Sequence, residues 1–143
     1  MPVPEQNLPL TGGCQCGAAR YEIAGVPVEL YVCHCRECQR QSASAFGISV
    51  ICRRADFRLT QGEVRSWTRD ADIGRRFKCM FCVRCGSRLW HDDEDEVEPL
   101  ISVKGGSLDT PVDLGPAIHI WTMRKLEGVV IPEGATQYPQ EPD

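Results

Sequence analysis

Eight of the nine cysteines in this chain lie in three short clusters, a pattern that is typical of metal binding. Cysteines two or three positions apart can turn their sulfurs toward one point. A structural zinc takes four thiolates in a closed tetrahedron, whereas a reactive zinc keeps one position open. A set of four and a set of three would therefore predict one structural and one reactive centre. The clusters are Cys14-Gln15-Cys16-Gly17, Cys33-His34-Cys35-Arg36-Glu37-Cys38 and Cys79-Met80-Phe81-Cys82-Val83-Arg84-Cys85-Gly86.

The first and third clusters both end in glycine, and we predict that they share the closed site. The third cluster offers two overlapping pairs, and we choose Cys82 and Cys85 because Gly86 follows them. Metal-binding turns often need a positive φ just after the second cysteine, which glycine adopts easily. Cys16-Gly17 has the same feature. The predicted ligands of the structural zinc are Cys14, Cys16, Cys82 and Cys85.

The second cluster leaves Cys33, Cys35 and Cys38 as a compact three-sulfur set for a reactive zinc. Its fourth ligand stays open between water, a substrate thiol, His34 and Cys79. His34 lies between two ligands, so its ring is expected to point away from the metal. Cys79 is expected to be a buried thiol. Cys52 follows an apolar run and is expected in the core of a strand.

Composition restricts the class of protein. The 143 residues suit one domain. An odd cysteine count without an export signal favours metal ligands over disulfides and predicts a soluble, cytoplasmic protein. The net charge of -4 and the short basic pairs argue against nucleic acid. No apolar run is long enough to span a membrane. Small molecules are therefore the expected partners, and the oligomeric state stays open.

Short segments of alternating or β-branched residues, separated by turn residues, predict a mainly β domain of small sheets. Gln61-Gly62 is interpreted as a hairpin turn between two of these strands, and the acidic run 92–96 as a solvated hairpin tip. One helix is predicted over 36–45, with Cys35 and Cys38 on one face of its first turn. The predicted divisions are a flexible leader at 1–9, a single zinc-binding domain at 10–131 and an extended tail at 132–143.

The ordered motifs resemble those of the glutathione-dependent formaldehyde-activating enzyme (GFA) family, which includes the domain of centromere protein V. The resemblance covers nearly the whole chain after the first ten residues. It rests on residues 12–21 (GGCQCGAARY), Cys33-His34-Cys35-x-x-Cys38, Phe81-Cys82-x-x-Cys85-Gly86-Ser87, Gly106-Ser107-Leu108-Asp109 and His119-Ile120.

The resemblance implies an Mss4-like β-tent stabilised by zinc, with small antiparallel sheets and a short helix. It also implies two Zn²⁺ sites, with Cys14, Cys16, Cys82 and Cys85 structural and Cys33, Cys35 and Cys38 catalytic. The implied activity is that of a carbon–sulfur lyase that joins the thiol of glutathione to formaldehyde, giving S-hydroxymethylglutathione. A non-catalytic module that binds glutathione or a protein is the alternative.

Two further residues are predicted to contact such a substrate. Glutathione is anionic, so the cationic Arg40, one turn beyond Arg36, is the first candidate for binding it. His119 is a candidate for orienting substrate or transferring a proton. Arg40 has the alternative of an exposed solvated side chain, and His119 that of a core histidine. The chain departs from the family pattern at Ala43, where many members have glycine, and it lacks a tryptophan that many members carry after the His-Ile strand.

Overall fold

The computed structural model describes residues 5–71 and 74–142, which form ten strands and one α-helix. Four 3-10 turns, at Glu5–Asn7, Arg54–Asp56, Gly105–Ser107 and Thr122–Arg124, complete the regular structure. The strands are β1 (Leu10–Gly13), β2 (Arg20–Ile23), β3 (Glu29–Cys33), β4 (Gly47–Arg53), β5 (Phe57–Gln61), β6 (Val64–Asp70), β7 (Arg76–Cys82), β8 (Arg88–Asp93), β9 (Leu100–Lys104) and β10 (Ile118–Ile120), and the helix is α1 (Arg36–Ser42).

The strands form two sheets, which confirms the predicted mainly β fold. The smaller sheet has the order β1-β2-β5, and the larger has the order β10-β3-β4-β9-β8-β7-β6. All pairs are antiparallel except β10 with β3, which is parallel. The parallel pair brings the late strand β10 beside the strand that carries the second cysteine cluster.

The larger sheet separates an apolar face from a polar face, because side chains alternate along each strand. Leu30, Val50 and Val103 point to the apolar face and are at most 1% exposed in a core shared with the smaller sheet. Residues at the alternate positions of the same strands, such as Cys33 and Lys104, point to the other face of the sheet. That face borders a cleft. The β-sheet thus carries a core on one side and candidate chemistry on the other.

The predicted hairpin at Gln61-Gly62 is wrong. β5 pairs with β2 in the smaller sheet, whereas β6 pairs with β7 in the larger one. The connection therefore carries the chain from one sheet to the other. A turn signal between two strand patterns shows where the chain bends, but the pairing depends on which sheet has a free edge.

The helix α1 ends at Ser42, three residues before the predicted end. Ala43 follows in the left-handed conformation, with φ of 50°, and its amide donates to the carbonyls of Arg40 and Gln39. Glycine is the residue that normally fills this position at a helix C-terminus. The conformation at position 43 is one that glycine adopts more easily than alanine.

The acidic run 92–96 lies at the end of the β8–β9 hairpin, as predicted, but it is not solvated throughout. Asp92 is only 5% exposed and forms an ion pair with Arg54, which also contacts Asp93. The Asp93 carboxylate accepts the amides of Asp95 and Glu98. The first two acids are therefore held within the fold, whereas Glu94 and Glu96 are more exposed, as predicted, and form surface ion pairs with Arg76 and Lys78.

The segments outside the ten strands include both predicted terminal regions. Of the leader, residues 1–4 lie outside the described part of the chain. Of the tail, Tyr138 is held by its backbone, since its amide donates to the His119 carbonyl at 2.9 Å. In the part of the chain that the structure describes, no helix has the length and apolar character that crossing a membrane requires.

Candidate metal centres and the adjoining cleft

The sulfurs of Cys14, Cys16, Cys82 and Cys85 converge, with all four within 4.8 Å of one another. The Cys14–Cys16 and Cys16–Cys82 sulfur distances are 3.5 and 3.8 Å. A disulfide needs about 2.05 Å. Four sulfurs about 2.3 Å from a central zinc would instead lie close to the observed spacing. The donor set fits a tetrahedral zinc, and the cluster joins the β1–β2 connection to the end of β7.

Backbone turns aim these sulfurs inward. Gly17 and Gly86 have φ of 81° and 79°, which confirms the positive φ predicted after each pair. The Ala19 amide donates to the Cys14 sulfur at 3.2 Å, and the Arg84 amide donates to that of Cys82 at 3.3 Å. Amide donors of this kind stabilise thiolates and orient metal ligands.

Ser87 links the two halves of the four-cysteine cluster. Its hydroxyl accepts the Gln15 amide at 3.0 Å and lies 3.2 Å from the Cys85 sulfur. This contact lowers the pKa of Cys85 to about 5. Ser87 therefore favours the thiolate that a metal would bind.

The second cluster brings together Cys33, Cys35 and Cys38, also within 4.8 Å of one another. Cys33 ends β3, Cys35 is the N-cap of α1, and Cys38 lies in the first turn of that helix. The Cys38 amide donates to the Cys35 sulfur at 3.2 Å. The predicted arrangement at the helix start is therefore observed.

The pKa values of the three thiols differ because they share one site. Hydrogen bonds from Cys33 and Cys38 lower the pKa of Cys35 to about 2. The hydrogen bonds of Cys33 with Cys35 and with Cys38 raise the pKa of Cys33. The Cys33 contact lowers the pKa of Cys38, but the Cys35 contact and burial outweigh it and raise the value to about 11. One thiolate forms readily and two more need a compensating cation, so the donor set fits a divalent metal with one open position.

The three-cysteine cluster opens into a cleft of about 460 Å³ over the polar face of the larger sheet. A second cleft of about 390 Å³ adjoins it and shares Cys38, His91 and Lys104 with the first. Residues from strands β4, β6, β8 and β9 line the first cleft. A small molecule can therefore reach the open side of the cysteine cluster from solvent.

The charged and basic groups beside the cluster are ones that sequence reasoning missed. Lys104 lies near Cys38 and Cys33, and burial lowers the pKa of its ammonium despite their favourable charges. Its Nζ donates to the Ser49 hydroxyl at 3.2 Å. Arg69 and His91 line the same cleft. No local motif marks these residues, because strand pairing alone brings β6, β8 and β9 beside the second cluster.

The two predicted substrate residues lie outside the first cleft. Arg40 is exposed on α1. His119 is 5% exposed and pairs across from Val32, so it points to the apolar face of the sheet. Its Nδ1 lies 3.0 Å from Nε2 of the fully buried His34, and the two rings stack. His34 therefore turns away from the three sulfurs, as expected.

The remaining thiols, Cys52 and Cys79, belong to neither set of converging sulfurs. Cys52 and Cys79 are both fully buried, and Cys52 belongs to the core. Burial raises the pKa of both, that of Cys52 to about 12. Within the described residues, the groups of possible metal ligands are the four-cysteine and three-cysteine sets alone.

Comparison with known families agrees with this geometry. Residues 9–124 match the model of the family described as glutathione-dependent formaldehyde-activating enzyme. This chain belongs to the GFA family. The match includes both cysteine clusters and every strand that lines the cleft, so the two candidate metal centres lie within the GFA domain.

A solved structure is similar to this GFA-family chain in fold. It is the crystal structure of a Rhodobacter sphaeroides protein, with 23% sequence identity and a TM-score of 0.58. The likeness covers 76% of this chain and 98% of that one. At this level of identity, the likeness supports the fold.

Proposed function

We propose that this protein is a zinc-dependent carbon–sulfur lyase that acts on the glutathione thiol and formaldehyde or a related small aldehyde. The observation that carries the proposal is the three-cysteine cluster that opens into a cleft, in a chain of the GFA family. In this proposal Cys33, Cys35 and Cys38 hold the catalytic zinc. Cys14, Cys16, Cys82 and Cys85 hold a structural zinc.

The proposed reaction forms one carbon–sulfur bond. The thiol sulfur bonds to the carbonyl carbon, the carbonyl π electrons move to oxygen, and the proton lost by the thiol ends on that oxygen. The product is S-hydroxymethylglutathione, and no oxidant or reductant is needed. Zinc at the three-cysteine centre would supply an open position that favours a thiolate near neutral pH.

The chain's own residues would contribute position and charge. The Cys38 amide donates to the Cys35 sulfur and fixes that sulfur at the start of α1. Lys104 supplies positive charge beside Cys33 and Cys38. The cleft walls would hold the thiol and the aldehyde together, which reduces the entropy cost of joining them.

The test is a rate measurement, because glutathione and formaldehyde combine unaided. NMR exchange spectroscopy would measure the interconversion of glutathione and its adduct with zinc-loaded protein. We expect acceleration that Cys35→Ser abolishes while the variant stays folded. Cys52→Ala changes a thiol outside both clusters and serves as the control that keeps the acceleration.

Three outcomes would contradict the proposal. If fully zinc-loaded protein gives no acceleration, the alternative of a non-catalytic glutathione-binding module replaces it. If Cys35→Ser unfolds the protein, the division into structural and catalytic centres is wrong. If Cys35→Ser retains full acceleration, the chemistry lies elsewhere.

A further inference from the structure

Three buried polar atoms on the cleft side of the larger sheet lack a hydrogen-bond partner. They are His91 Nε2, Ser102 Oγ and Arg69 Nε. His91 pairs with Ser102 across β8 and β9, so both side chains point the same way. A buried polar group without a partner is costly, and native proteins rarely keep one without a reason. Three such atoms lining one cleft indicate a missing polar ligand.

The same part of the cleft carries two cationic side chains, Lys104 and Arg69. Lys104 and Arg69 form no ion pair with any carboxylate in residues 5–71 and 74–142. Acidic residues also line this cleft, but each has another partner. Asp92 and Asp93 contact Arg54, Glu98 lies 3.4 Å from Arg75, and Glu141 accepts from the Trp121 indole.

The two cations differ in how they are held. The guanidinium of Arg69 lies over the Phe77 ring, with its central carbon 5.7 Å from the ring centroid. Lys104 donates to the Ser49 hydroxyl at 3.2 Å. Both groups are thus placed to receive negative charge next to Cys33 and Cys38.

We infer that Arg69, Lys104, His91 and Ser102 form a carboxylate-binding subsite that selects thiol substrates carrying a carboxylate. This inference rests on the proposed function, since the thiol of the same substrate would enter the three-cysteine centre. The arginine and lysine neutralise the carboxylate, and the hydroxyl and imidazole complete its hydrogen bonds. Neutral thiols of the same length lack this contact and bind more weakly.

The test compares two thiols of matched length on zinc-loaded protein by isothermal titration calorimetry. They are 3-mercaptopropionate, which ends in a carboxylate, and 3-mercapto-1-propanol, which ends in a neutral hydroxyl group. We expect 3-mercaptopropionate to bind about tenfold or more tightly, as a charge-assisted contact provides. Arg69→Met should remove most of that difference and leave the affinity for 3-mercapto-1-propanol nearly unchanged, and Lys104→Met should also remove most of the difference.

Arg65→Met is the matched control. Arg65 lies on the same strand as Arg69, is exposed and is not among the cleft residues. This variant has the same change in charge and should keep the full preference for 3-mercaptopropionate. Zinc content and circular dichroism would verify that each variant is folded.

The outcomes separate the subsite from the proposed function. Equal affinity for the two thiols, or a preference that survives both Arg69→Met and Lys104→Met, overturns the subsite while thiol binding at the centre stands. If Arg65→Met loses the preference for 3-mercaptopropionate to the same extent, the preference reflects the overall charge of the protein. That result also overturns the subsite. Failure of both thiols to bind zinc-loaded protein overturns the subsite and the proposed function together.

Discussion

At the scale of single residues, His91 carries an uncharged imidazole in a cationic setting. It is 9% exposed and lies near Lys104, Arg69 and Arg88. Burial, followed by these positive charges, lowers its pKa to about 2 from an ordinary 6.5. A histidine that is neutral when folded but protonated when unfolded makes the folding free energy depend on pH.

We predict that His91 destabilises the protein as pH falls below about 6.5. The unfolded state gains a proton there and the folded state does not, so stability is lost toward the folded pKa of about 2. The loss should be about 1.4 kcal/mol per pH unit. His91→Gln removes this contribution, so urea unfolding of the two proteins between about pH 5 and 7 measures it.

Acid also releases metal from the thiolates, but it does so in both the wild type and His91→Gln. The difference in stability between the two proteins therefore excludes this effect. If the stability difference between wild type and His91→Gln does not change with pH, the imidazole is not neutral in the folded state. A wild type that gains stability relative to His91→Gln as pH falls would contradict the sign of the effect.

The residues that could be predicted from sequence are those whose chemistry is local. Cys14 and Cys16, or Cys82 and Cys85, are close enough along the chain for spacing to indicate one centre. Lys104 is different, because only the pairing of β9 with β4 brings it beside the second cluster. Arg40, predicted as a cation for an anionic substrate, is exposed on α1 and outside the cleft, and its role stays a prediction.

At the scale of elements, α1 ends in a residue that is poorly suited to its conformation. Ala43 is exposed and has φ of 50°. The left-handed conformation destabilises a residue with a Cβ atom by about 1 kcal/mol or more, whereas glycine adopts it with little loss of free energy. The backbone bonds from Ala43 to Arg40 and Gln39 hold it there.

We predict that Ala43→Gly stabilises the protein by about 1 kcal/mol. The measurement is the free energy of unfolding in urea. Ala45→Gly is the control, since Ala45 does not have a positive φ and should lose stability through added freedom of the unfolded chain. Destabilisation by Ala43→Gly would show that the methyl group makes a contact worth more than the strain.

The presence of β-strands was predicted better than the pairing between strands. The mainly β class was predicted correctly, because the segments have their own alternating or β-branched patterns. The β5–β6 connection failed because both a hairpin and a change of sheet need a turn after Gln61. The choice between them is made by β2 and β7, which offer the pairing edges and are distant in sequence.

At the scale of the whole molecule, the four-cysteine cluster joins segments that belong to different sheets and are far apart in sequence. Cys14 and Cys16 follow β1 in the smaller sheet, whereas Cys82 ends β7 in the larger one. In the unfolded chain this site is not formed, so zinc binding would contribute directly to folding. The three-cysteine centre spans six residues and constrains the fold much less.

We predict that Cys82→Ser loses one zinc and costs several kcal/mol of stability, whereas Cys35→Ser costs little. Zinc content and urea unfolding would be measured together. Cys52→Ser controls for placing a hydroxyl at a buried cysteine, since Cys52 is 0% exposed and outside both clusters. Equal destabilisation by Cys82→Ser and Cys52→Ser would mean that the metal does not hold the sheets together.

The order of the cysteines along the chain also has a consequence for synthesis on the ribosome. Five of the seven proposed ligands, through Cys38, emerge before Cys82 and Cys85 are translated. A zinc ion captured early would meet Cys14 and Cys16 beside the second cluster and could join the wrong sulfurs. Because domains begin to fold as they emerge, such a misligated nascent chain must release its metal before the native sheets can close.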